Sequence, residues 1–277
     1  MTLVHVLQNA TGQLRDVGVS DPIRDARILL AHALQVDYKD LPLATNEDLL
    51  PDTIQRYDTL IKQRAKRIPV SHLIEMREFY GRTFRINSKV FDPRPETEIL
   101  VSAALTNSFQ RVLDLGIGSG NIILTLLAEQ LVASGIGVDI CKDACYQAKL
   151  NALFHQVEQR IDIRQSNWFN NIDGQFDLIV SNPPYIAKEE MPSLSEEVRL
   201  HEPEQALTDG RDGLSAYANI CRNVRKHLTL GGRLIFEVSP HKCMEVCKIV
   251  YEAGFDQVII RSDLEKRPRV VIANLDR

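Results

Sequence analysis

The feature that most constrains this chain is the run Asp114-Leu115-Gly116-Ile117-Gly118-Ser119-Gly120. It begins in a short apolar segment, Arg111 to Leu115, and leads into Ile122 to Leu131, an apolar stretch of helical length. Glycines between a strand and a helix let the backbone turn sharply and lie close to a ligand. In an open α/β sheet, ligands bind at the carboxyl ends of strands. The next strand, Gly135 to Asp139, ends in an acid that can accept both hydroxyls of a ribose. Asn121 stands where a dinucleotide fingerprint would have its last glycine. The loop from Gly116 to Gly120, with Asp139, therefore reads as a pocket for an adenosine without a pyrophosphate. The alternative is a bare tight turn with Asp139 as a helix cap.

The alternation continues. A helix is expected over Ala144–Phe154, strands at Ile161–Ile163 and Phe176–Val180, then a long polar loop. A helix from Tyr217 to Leu228, a strand Arg233–Glu237, a helix Cys243–Ala253 and strands Gln257–Ile260 and Val270–Ala273 follow. Strands separated by helices make crossover units and a parallel sheet. The last two strands lack a helix between them and predict an antiparallel edge hairpin. The fold class is thus α/β, a Rossmann-like, mostly parallel seven-stranded sheet over 92–277. Residues 1–74 read as a separate helical domain. Leu3, Leu7, Ala10, Leu14 and Val17 recur at helical spacing, Asp21-Pro22 opens a second helix and Pro51 a third. The third ends in Lys62-Gln63-Arg64-Ala65-Lys66-Arg67, read as a solvated helix end, with a partner-binding face as the alternative. Aromatic and β-branched residues around Gly81 predict a hairpin within a linker over 75–91.

Asn182-Pro183-Pro184-Tyr185 directly follows the fourth strand of the sheet. Two prolines after a strand can be no more than a rigid turn. The residue types also suit one difficult reaction. The nitrogen of an amide or exocyclic amine is a poor nucleophile because its lone pair is delocalised. The Asn182 side-chain carbonyl and the Pro183 backbone carbonyl can each accept one of its N–H groups, drawing it towards tetrahedral geometry. The prolines preorganise those acceptors, and Tyr185 can pack on the flat face of the group. Together with the adenosine pocket, this predicts methyl transfer from S-adenosylmethionine to a planar nitrogen. Asp114 would then either attract the methionyl ammonium or brace the loop. Trp168, after the third strand, reads as a ring against adenine or as a core residue.

These motifs resemble the peptide chain release factor glutamine N5-methyltransferases, and the resemblance spans essentially the whole chain. Pro69-Val70-Ser71-His72-Leu73 and Arg77-Glu78-Phe79-Tyr80-Gly81 are similar to that family's linker. Asp92-Pro93-Arg94-Pro95-Glu96-Thr97-Glu98 is similar to its arginine-proline signature. The resemblance implies a class I methyltransferase domain and S-adenosyl-L-methionine as methyl donor, with S-adenosyl-L-homocysteine as product. The acceptor it implies is the glutamine of the Gly-Gly-Gln loop of class I release factors. It assigns Gly116, Ile117, Gly118, Ser119, Gly120, Asp139, Trp168 and Asn182 to the cofactor. It assigns Asn182, Pro183, Pro184 and Tyr185 to the glutamine, with Asn182, Pro183 and Tyr185 catalytic. Arg94 and Glu98 are expected to shape the cleft, Arg94 as a substrate contact. The helical domain is expected to dock the partner. The chain departs from the family pattern at Glu75, Asp92, Ile117, Asn167, Val238-Ser239 and Pro268.

Two rivals share these motifs: a nucleic-acid N-methyltransferase that flips a base into the same pocket, and a non-catalytic cofactor-bound adaptor. The balance of 33 Lys+Arg against 37 Asp+Glu gives a net charge of −4, which weighs against direct nucleic-acid binding. The N-terminus lacks the basic start and apolar run of a signal peptide. A cytoplasmic monomer with no membrane or metal partner is the expectation. Its 5 cysteines, including the pairs Cys141/Cys145 and Cys243/Cys247, are expected as buried thiols, since they lack zinc-knuckle spacing.

Overall fold

The computed structural model describes residues 2–44 and 49–275. In chain order it runs α1 (Leu3–Asp16), α2 (Pro22–Leu34), α3 (Pro51–Ala65), α4 (Val70–Ile74), β1 (Met76–Phe79), β2 (Arg82–Arg85) and α5 (Glu98–Ala104). There follow β3 (Arg111–Leu115), α6 (Asn121–Glu129), β4 (Ser134–Asp139), α7 (Lys142–Phe154), β5 (Ile161–Gln165) and β6 (Phe176–Ser181). After these come α8 (Glu196–His201), α9 (Glu204–Leu207), α10 (Ser215–Val224), β7 (Leu228–Glu237), α11 (Cys243–Glu252), β8 (Gln257–Ser262) and β9 (Pro268–Asn274). The chain divides into two compact units, Met1–Met76 with Ser195–His201, and Arg77–Leu194 with Glu202–Arg277. The hairpin is thus counted with the sheet unit from Arg77 onward, and the short piece 195–201 leaves that unit for the helical one.

In the helical unit, Asp21 caps α2 by accepting the Arg24 N–H at 3.3 Å, and Pro22 supplies a helical φ where no N–H is needed. Leu3, Val6, Ala10 and Leu14 of α1 pack with Ala26, Leu29 and Leu30 of α2 and with Tyr57 and Ile61 of α3. Val17, expected on that stripe, lies beyond the end of α1 and is exposed. In the basic end of α3, Lys62, Gln63 and Lys66 are exposed as expected, but the two arginines are not. Arg64 turns inward, only 3% exposed, with Nε on Asp25 at 2.7 Å and Nη2 on Glu197 of α8 at 2.6 Å. Arg67 donates to the carbonyls of Val17 and Gly18. A guanidinium keeps its charge when buried and offers several directed donors, so it can serve carboxylates and carbonyls together.

In the sheet unit the strand order is β5-β4-β3-β6-β7-β9-β8. The strands from β5 to β7 are parallel, while β9 runs antiparallel to β7 and to the edge strand β8. Buried clusters cover both faces, one around Leu100, Ile123 and Leu127, the other around Tyr217, Phe236 and Val246. The chain leaves β3 through α6 towards β4, and β6 returns on the other side of β3. That reversal makes β3 and β6 the switch point, with a crevice at their carboxyl ends. The β1–β2 turn has positive φ at both Tyr80 (51°) and Gly81 (69°), the geometry of a tight hairpin turn. The polar stretch after Tyr185, expected as loop, instead carries α8 and α9. It is tied back where the Ile186 and Lys188 N–H groups donate to the carbonyls of Leu207 and Arg211. Among the described residues no helix is long and apolar enough to cross a membrane.

Candidate active site

The site is built on the carboxyl ends of β3, β4, β5, β6 and β7. Beyond β3, Gly116, Gly118 and Gly120 all have positive φ, at 83°, 52° and 84°. That backbone is open to glycine and strained for other residues. The loop is pinned by its neighbours. The Gly116 and Ile117 N–H groups both donate to the Val138 carbonyl at 2.8 Å. Asp139 accepts the Gly118 N–H at 3.0 Å and, with its other oxygen, the Cys141 N–H at 2.8 Å. Asp139 thus braces the glycine turn and the start of α7. Its carboxylate keeps further lone pairs for a ribose. Burial pushes its pKa up, against the pull of those backbone donors. The Ile117 side chain points into the core, where a Cβ on Gly137 would lie 2.1 Å from its Cδ1. Only the Ile117 backbone belongs to the loop surface.

Asp114 is fully buried, and neither carboxylate oxygen has a hydrogen-bond partner among the described residues. Burial pushes its pKa up to about 8. The Ile123 backbone N–H pulls weakly the other way, and a buried acid with no close partner at the foot of a ligand loop fits a cationic group on the ligand.

The three motifs meet at Gly116. A Cβ built there would lie 3.9 Å from the Asn182 carbonyl oxygen and 3.9 Å from Cζ3 of Trp168. Trp168 itself has a positive φ of 50°, a strained state that persists only where surroundings impose it. The Ser166 hydroxyl helps impose it, donating to the Trp168 carbonyl at 3.1 Å and also to that of Asn170. The Ser181 hydroxyl donates to the Leu115 carbonyl at 2.6 Å, joining β6 to β3 one residue before each motif begins.

Within the tetrapeptide Pro183 is buried, while Asn182, Pro184 and Tyr185 are half-buried. Tyr185 packs on the cluster around Phe236, and burial raises its hydroxyl pKa. Its carbonyl accepts Nζ of Lys242 at 3.0 Å. Gly213, with φ of 75°, approaches the same carbonyl so closely that a Cβ would sit 2.1 Å away. Asp209 shapes that approach by accepting the N–H groups of Arg211, Gly213 and Ser215. The signal for this second loop is Asp209-Gly210-Arg211-Asp212-Gly213, a pair of glycine turns inside the stretch expected as plain loop.

Arg94 is held by acids. Its guanidinium pairs with Glu202 and, at 3.7 Å, with Asp92, and it lies over the Phe91 ring. Glu98 accepts the Tyr80 N–H at 2.9 Å, fixing the hairpin turn. Glu237 at the end of β7 carries no local sequence signal. It is buried, with Oε2 lacking a partner among the described residues. Burial pushes its pKa up to about 7, against the pull of Thr97, Arg269 and Arg94. Four of the cysteines are buried and Cys141 is partly so. Among the described residues no group of His, Cys, Asp and Glu is placed to hold a metal ion.

A family model described as the PrmC N-terminal domain matches residues 5–74, and one described as the methyltransferase small domain matches residues 89–212. The release factor glutamine methyltransferase of Cereibacter sphaeroides is 43% identical over 275 residues, 99% of each chain. This chain belongs to the release factor glutamine methyltransferase family. Relatives of this family member include the bifunctional methyltransferase of Rickettsia typhi, 34% identical over 98% of the chain. The chain spans only 57% of that longer protein. Among solved structures, a methyltransferase from Pyrococcus furiosus superposes with a TM-score of 0.56 at 15% identity, covering 78% of this chain and 100% of that one. At that identity the likeness speaks for the fold alone.

Proposed function

We propose that this protein transfers a methyl group from S-adenosylmethionine to the side-chain amide nitrogen of the glutamine in the Gly-Gly-Gln loop of class I release factors. The observation that supports it most is the meeting of the glycine loop, Trp168 and Asn182 around Gly116, in a chain whose relatives over its whole length include release factor glutamine methyltransferases. S-adenosylmethionine supplies an electrophilic methyl on a sulfonium, a good leaving group. The protein binds and aligns. The Gly116–Gly120 backbone would hold the adenosine, Asp139 would accept ribose hydroxyls, and Trp168 would flank the adenine. Asp114 offers a carboxylate to the ammonium. Asn182 Oδ1 and the Pro183 carbonyl accept the two N–H groups of the glutamine amide, and Tyr185 packs against its plane. Holding both hydrogens localises the lone pair, so alignment and fixed dipoles carry the rate. No strong base is needed, because the methylated nitrogen sheds its proton afterwards.

The test is incubation with methyl-labelled cofactor and, separately, a class I release factor, tRNA, DNA and no acceptor. Label should enter the release factor alone and be lost when its loop glutamine is replaced. Label entering nucleic acid but not the release factor would overturn the proposal.

A further inference from the structure

The glycine loop is held from Val138 and Asp139, and also from a residue far from it in sequence. Asn151 lies on α7, fully buried. Its carboxamide is almost saturated. Oδ1 accepts the Arg85 N–H at 2.9 Å, while Nδ2 donates to the Arg85 carbonyl at 2.9 Å and to the Ser119 carbonyl at 2.8 Å. Both Nδ2 hydrogens are used. Towards β2 the side chain behaves as a neighbouring strand would, pairing with both backbone groups of one residue. Towards the loop it grips a single carbonyl.

That carbonyl sits inside a turn. The Gly120 N–H donates to the Ile117 carbonyl at 2.8 Å, closing Ile117 to Gly120. Gly118 has a positive φ and Ser119 does not, the pattern of a type II′ turn. In a trans peptide the C=O and the following N–H point in opposite directions. Holding the Ser119 oxygen against α7 therefore directs the Gly120 N–H inward to Ile117. The peptide unit cannot flip without stranding a buried donor of Asn151.

We infer that Asn151 is a positioning residue for cofactor binding, which sets the Ser119–Gly120 peptide and couples the glycine loop to the β1–β2 hairpin. The inference rests on the proposed cofactor site and concerns a residue outside it. Gln147, one turn earlier on α7, provides the control. Its Nε2 donates to the same Arg85 carbonyl at 2.8 Å and its Oε1 accepts from Asn87, but among the described residues its hydrogen bonds do not include one to Ser119.

The experiment measures binding of S-adenosylhomocysteine by calorimetry, melting temperature, and the KM for S-adenosylmethionine against kcat. The proteins are wild type, Asn151→Asp, Asn151→Ser and Gln147→Met. Asn151→Asp keeps the shape and the bond from the Arg85 N–H, but turns an acceptor towards two carbonyls. Both Asn151 variants should bind S-adenosylhomocysteine about tenfold or more weakly, the equivalent of one buried hydrogen bond. Their KM for the cofactor should rise in step, with kcat at saturation near wild type. Gln147→Met should lower the melting temperature and leave cofactor affinity unchanged. Equal cofactor affinity in wild type and folded Asn151 variants overturns the inference. So does loss of affinity in Gln147→Met to the same degree, or failure of both Asn151 variants to fold, since each reduces Asn151 to a fold residue. Absence of binding by the wild type would instead strike at the cofactor site itself.

Discussion

Asp114, next to the last residue of β3, and Glu237, the last of β7, carry buried carboxyl groups on the two strands that flank β6. Burial raises their pKa to about 8 and about 7, above the ordinary carboxylate range. Between pH ~4 and those values the folded state holds protons that the unfolded chain has released, so stability falls as pH rises through that window. Asp114→Asn removes one such group. In ligand-free protein its melting temperature should exceed that of wild type by a margin that widens from pH 5 to pH 8; a constant margin would mean the carboxyl is ionised throughout. Asn182→Ala should cut turnover by about a hundredfold or more while changing S-adenosylhomocysteine affinity far less; wild-type-like turnover refutes its role. Gly213→Ala forces a Cβ against the Tyr185 carbonyl at a positive φ, a strain of about 1–3 kcal/mol. It should lower both kcat and the denaturation midpoint. Which residues are legible from sequence follows from these cases. The glycine loop, Asp139 and the Asn182–Tyr185 run carry their chemistry in contiguous letters. Glu237 and Asn151 look like ordinary strand and helix residues, because their partners lie dozens of positions away.

At the level of elements, the sequence reading succeeds where local chemistry sets the ends. Asp21-Pro22 and Pro51 start α2 and α3, and the strand-helix alternation matches the sheet, although β7 begins at Leu228, the expected end of the preceding helix and well before the expected Arg233. It fails where a segment takes its structure from distant neighbours. The piece containing α8 is mostly polar, with only Val198 and Leu200 apolar, yet Glu197 meets the buried Arg64, and His201 reaches the Lys66 carbonyl at 3.2 Å. The same contacts explain why Arg64 leaves the otherwise exposed basic run for the interior of the helical unit. Arg64→Met would leave the buried Asp25 and the half-buried Glu197 without their shared cation. Breaking a buried pair from one side costs about 3–5 kcal/mol, so chemical denaturation should show a loss of that order. Glu197→Gln, which keeps a hydrogen-bond acceptor for Arg64, should cost clearly less.

The helical unit takes in residues 195–201, a short distance along the chain from the acceptor tetrapeptide. Docking alone predicts that removing residues before Ile68 raises the KM for a whole release factor and spares a short Gly-Gly-Gln peptide. Because Arg64 and Asp25 would go with them, the truncated protein should lose kcat on the peptide as well. Equal kcat on the peptide would show that the helices serve docking only. The sheet order has a separate consequence for how the chain comes off the ribosome. β9 lies between β7 and β8 although it is made after both. A nascent chain that has reached Ser262 therefore has a finished β7 with one bare flank, and a β8 with no seat beside it. Unpaired strand flanks invite aggregation, so the interval before residues 268–274 emerge is when this protein most needs a chaperone.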